Sequence, residues 1–105
     1  MIRNLRIELL ACVLLLSACG DGRQEAAEYA LTAQSLAASG DFINARENIQ
    51  QAISKRDDIA EYYLLLGRIE LKLDRQINAF HAYKSALDLD TANPEALQSV
   101  AELGL

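Results

Sequence analysis

The chain has 105 residues, 51% of them hydrophobic, and a formal net charge of -5, which suits one small domain. With no basic stripe to follow a phosphate backbone, this acidic balance argues against nucleic acid as a partner. Anionic lipid headgroups would gain nothing from it either.

The first segment differs in kind from the rest. Arg3 and Arg6 precede a nearly unbroken apolar run from Leu9 to Ala18. That run is too short to span a bilayer as a mature helix, which takes about 20 residues. Basic start, apolar middle and small-residue end fit a secretion signal over residues 1–18. Leu16-Ser17-Ala18-Cys19 resembles the lipobox of bacterial lipoproteins. The resemblance implies an acylated Cys19 as the first residue of the mature protein, followed by a short linker through residue 25. An uncleaved anchor and an ordinary signal peptide are the alternatives. Buried acyl chains contribute about 0.8 kcal/mol per CH2, enough to hold a protein on a membrane without crossing it. Gly20, not Asp, follows Cys19, and in that family this points to the periplasmic face of the outer membrane. Cys12 would leave with the signal and Cys19 would carry lipid, so no thiol remains for a disulfide, a metal or a redox centre.

From residue 26 onward the apolar residues fall at helical spacing and nothing reads as a strand, which predicts an all-α domain over 26–105. Tyr29, Ala45, Ile49 and Ala52 recur as Tyr63, Ala79, Tyr83 and Ala86 at a constant offset of 34 residues. The units run over about 26–59 and 60–93, each a helical hairpin with a turn at Ser39-Gly40-Asp41 or Leu73-Asp74-Arg75. Small residues at Ala45, Ala52, Gly67, Ala79 and Ala86 let helices approach closely. Tyr29, Ile49, Tyr63, Leu66 and Tyr83 are expected to fill the space beside them. Tyr62 is expected against a neighbouring helix. Asp21-x-x-Gln24 and Asp58-x-x-Glu61 read as capping boxes, and Asn93-Pro94-Glu95 as a cap, an N1 proline and a favourable charge.

The second unit carries Tyr63-x2-Leu66-Gly67, Ala79-x3-Tyr83-x2-Ala86, Leu87-Asp88-Leu89-Asp90 and Asn93-Pro94, and it resembles a tetratricopeptide repeat. It departs from that pattern at Glu70, where Tyr is usual, at Asp74, where Gly is common, and at Thr91, where Pro often ends the repeat. In the first unit Thr32 and Ala33 replace the Leu-Gly pair. The resemblance implies a helix-turn-helix solenoid whose ligand groove is lined by the first helix of each unit. That groove would present Ala27, Ala30, Gln34 and Ala37, then Glu61, Leu64, Arg68, Leu71 and Lys72, with Gln98 and Glu102 beyond. Arg68 and Lys72, one helical turn apart, are expected to hold a carboxylate, with Leu64 and Leu71 as an apolar floor. The alternative is a solvated helix face in which Arg68 or Lys72 pairs with Glu61 or Glu70.

Residues 94–105 repeat only the start of a unit, with Leu97, Val100 and Ala101 standing where Tyr63, Leu66 and Gly67 stood. They are expected to form a packing or capping helix. A truncated longer chain, self-association through this helix and completion by a partner remain open. His81 is the sole histidine and reads as a surface helix residue. Asp57-Asp58 and Asp88-Asp90 lie at helix ends, where capping and solvation account for them. Ser17, Ser35 and Ser85 have no nucleophile-elbow context. The expectation is a protein-binding scaffold or assembly factor of an envelope complex, such as a pilus or secretion machine, and not an enzyme; no cofactor or metal is expected. Polysaccharide or peptidoglycan machinery is the alternative setting.

Overall fold

The computed structural model describes residues 22–104, and over them the chain is all-α with no strand. The expected signal segment, Cys19 and Asp21 of the first capping box lie outside the described residues. The described helices are α1 Arg23–Ala38, α2 Phe42–Lys55, α3 Ala60–Lys72, α4 Gln76–Leu89 and α5 Pro94–Leu103.

The turns form for local reasons. After α1 the chain reverses through Gly40 at φ 87°, a left-handed conformation that costs glycine little. Asp41 then caps α2, accepting from the Asn44 backbone N–H at 3.3 Å and from Asn44 Nδ2 at 2.8 Å. The turn after α3 has the same hand without a glycine, and Asp74 takes φ 59° there. Asn93 Oδ1 accepts from the Ala96 N–H at 2.9 Å, with Pro94 in the first turn of α5, as its sequence predicts. The second expected capping box does not form. α3 starts after Ile59 with no side-chain cap, because Arg56 holds the Asp58 carboxylate through Nε at 2.8 Å and Nη2 at 3.0 Å.

The helices stack in chain order. α1 packs on α2 and α3 on α4 as two hairpins, while α2 also meets α3 and α4 meets α5. One core joins Ala30 and Ala33 of α1, Ala45, Ile49 and Ala52 of α2, and Leu65 and Ile69 of α3. A second joins Leu64, Ala79, Tyr83, Ala86 and Ala96. α3 therefore feeds both cores from opposite faces. Gly67 lies beneath the Tyr83 ring, where an added Cβ would come within 2.7 Å of two ring carbons.

Most of the predicted packing residues lie in these cores, with two corrections. Tyr29 is 36% exposed, whereas its counterpart Tyr63 is half-buried. Tyr63 sits in a groove lined by α2, α3 and α4, whereas Tyr29 lines a hollow with Asn48 of α2 and its own α1 neighbours Glu25, Glu28 and Thr32. Tyr63 is not a core residue as expected, since its hydroxyl reaches out to donate to the Asp57 carbonyl at 3.0 Å. Leu66 and Tyr62 are half-buried against the first core. On α5, Gln98 and Ala101 are exposed although their counterparts Leu64 and Gly67 are buried.

Candidate partner-binding surface

The first helix of each unit does present an exposed face. Gln34, Glu61, Arg68, Leu71, Lys72 and Gln98 are all exposed, and Leu71 is 40% so. Leu64 is not part of that face. It is 5% exposed and packs in the second core with Tyr83, so it cannot floor a groove. Ala30 is likewise buried, against α2.

The expected carboxylate clamp is altered by an internal carboxylate. Arg68 donates from Nε and Nη2 to the two oxygens of Glu95, both at 2.6 Å, and so ties α3 to α5. It pairs with neither Glu61 nor Glu70 as the alternative reading supposed. This forked geometry matches guanidinium to carboxylate. The hydrogen bonds to Arg68 hold the Glu95 carboxyl below its ordinary pKa and raise that of Arg68. Lys72 forms no ion pair among the described residues, and Gln98 Nε2 donates to Glu102 at 2.9 Å. What this face offers a ligand is the Lys72 ammonium, the Glu61 carboxylate, the Leu71 side chain and amide groups.

A residue outside the predicted site is the more unusual one. Glu70 is 1% exposed and is the buried charged residue among those described. Arg46 Nε of α2 donates to its Oε1. Arg75 Nε lies 3.0 Å from its Oε2, but off the hydrogen-bond direction, so that oxygen has an ion-pair neighbour and accepts no hydrogen bond. One sequence signal was available: Glu70 stands where a tetratricopeptide pattern has Tyr. Its partner Arg46 is 24 residues away, and no local rule connects them.

Beside this pair a groove of about 250 Å³ runs between α2 and α4 over α3, lined by Arg46, Gln50, Tyr63, Leu66, Glu70, Asn78, His81, Ala82 and Ser85. His81 is exposed and lies edge-on to Phe80 with ring centroids 5.6 Å apart. Ser85 Oγ donates to the His81 backbone carbonyl at 3.0 Å, so it makes no nucleophile–base pair with the imidazole. Among the described residues no three His, Cys, Asp or Glu side chains gather as a metal site. No described helix is long and apolar enough to cross a membrane. No protein-family model matches the chain, and no curated protein matches it.

Proposed function

We propose that this chain is a tetratricopeptide-type lipoprotein that binds a protein partner in the bacterial envelope, as a scaffold or assembly factor and not as an enzyme. One observation carries the reading: the 34-residue repeat coincides with stacked helical hairpins whose repeated small residues, Ala45, Ala52, Ala79 and Ala86, are all fully buried. Stacks of this kind bury a continuous core and leave an extended face for macromolecules. Cys19 is the proposed acylation site, and the periplasmic face of the outer membrane the proposed location. A pilus or secretion machine suits such a scaffold; polysaccharide or peptidoglycan machinery is the second setting.

The proposed contact face comprises Gln34, Glu61, Leu71, Lys72 and Gln98, with Arg68 committed to Glu95. In-cell crosslinking tests it by comparing the full chain with a Leu71→Asp, Lys72→Glu variant that keeps Arg68. The reading expects one envelope protein to be recovered with the natural chain and lost with the variant. Equal recovery would remove this face from the interface. For the anchor, Cys19→Ala should abolish acyl labelling and leave an unprocessed precursor; normal labelling of that variant would refute it.

A further inference from the structure

The groove between α2 and α4 lies apart from the contact face proposed above, and its chemistry is more specific. Two charged side chains line it, Arg46 and Glu70. The Glu70 side chain is 1% exposed and faces Arg46, whose own side chain is 29% exposed. A ligand approaching the groove therefore meets a guanidinium. Glu70 accepts from Arg46 through Nε, which holds the guanidinium in place and leaves its Nη groups without a hydrogen bond among the described residues. A guanidinium held this way suits a carboxylate, because little rotamer freedom remains to be lost on binding. Leu66 and the Tyr63 ring, both half-buried, supply apolar floor, and the Gln50 and Asn78 amides can hydrogen-bond an extended backbone.

This polar pair is not part of the internal repeat. One unit later the same two positions are Phe80 and Gly104, where an added Cβ would lie 3.1 Å from the Phe80 ring. A buried ion pair is often no more stabilising than a well-packed apolar replacement. Local departures of this kind gather at functional sites.

We propose that the α2/α4 groove docks a short segment of a partner protein that carries a carboxylate beside an apolar side chain. The carboxylate lies on the Arg46 guanidinium and the apolar group on Leu66 and the Tyr63 ring. This inference rests on the protein-binding reading and names a second surface for it.

The test is a titration of the 15N-labelled full chain in detergent solution, followed by NMR, with two probes. They are the peptide acetyl-Gly-Leu-Glu-Leu-amide and the same peptide with Gln in place of Glu. The proposal expects the acidic probe to shift the signals of Gln50, Asn78 and Leu66, and the neutral probe to bind about tenfold more weakly. An Arg46→Gln, Glu70→Gln double variant, checked for native helix content by circular dichroism, should lose the response. Lys72→Glu should keep it. Equal binding of both probes, or no shift in the groove at millimolar peptide, overturns the groove proposal. Shifts confined to Gln34, Leu71 and Lys72 overturn it too while leaving the scaffold reading intact. Failure of the natural chain to recover any envelope protein in the crosslinking experiment above would instead be a failure of that reading.

Discussion

At the scale of single residues, the clearest constraint is the absence of a side chain at Gly67. A Cβ there would meet the Tyr83 ring at 2.7 Å, and Tyr83 is itself 2% exposed, packed in the second core. Gly67→Ala should gain about 1 kcal/mol in helix propensity and still be destabilising overall, by about 1–3 kcal/mol, from overpacking. Chemical denaturation measures this, and an unchanged midpoint would show that α3 and α4 are not in close contact. Asp74 poses the opposite case. It holds φ 59°, a conformation costing an L-residue about 1–2 kcal/mol, which a short polar side chain tolerates better than most. Asp74→Gly should therefore raise the melting temperature, with a gain of about 0.5–1 kcal/mol once the added freedom of the unfolded glycine is counted.

At the scale of elements, equivalent junctions are held by different chemistry. α2 meets α3 through Arg46 and Glu70, whereas α4 meets α5 at the equivalent positions through Phe80 against Gly104. Arg46→Ala should cost about 1–3 kcal/mol, because it leaves a buried carboxylate with only the off-axis Arg75. Adding Glu70→Met to that variant should recover most of the loss in the same denaturation assay. α3 is tied to α5 by Arg68 and Glu95, whose side chains are 54% and 37% exposed, so solvent screening limits the pair to less than about 1 kcal/mol. Its pH dependence has a definite sign. The Glu95 carboxyl is held below its ordinary value chiefly by hydrogen bonds from Arg68, so the unfolded chain takes up this proton first as pH falls. The stabilisation is full above the ordinary carboxylate range and is lost as pH drops through the lowered folded value. Asp58, lowered chiefly by its hydrogen bond with Arg56, acts in the same direction. Melting temperature should fall on acidification, and Arg68→Ala should shallow that slope.

At the scale of the whole molecule, the stack exposes two faces with different offers: amides, Glu61, Leu71 and Lys72 on α1, α3 and α5, and an arginine paired to a buried carboxylate in the α2/α4 groove. The hairpins were legible in the sequence because they rest on local rules: Gly40 and Asp41 at the first turn, Asn93 and Pro94 before α5, and small residues at one offset. The contacts that alter the candidate site were not legible. Arg68 to Glu95 and Arg46 to Glu70 each join residues more than six helical turns apart along the chain, and only stacking brings them together. Asp58 misled for a related reason, since a neighbouring arginine outcompetes a backbone N–H for its carboxylate. Tyr29 shows the limit of repeat arithmetic: an equivalent position is buried only if equivalent neighbours flank it.

The central claim is that an anchored helical stack presents a face to one envelope partner. A photocrosslinking residue placed in turn at Gln34, Lys72, Gln50 and Thr32, in cells making the full chain with Cys19 intact, tests it most directly. The account predicts that Gln34 and Lys72 capture one and the same envelope protein, that Thr32, exposed on the side of α1 turned away from Gln34, does not, and that Cys19→Ala abolishes the capture. Crosslinks of equal strength from all four positions, or none from Gln34 and Lys72, would contradict it.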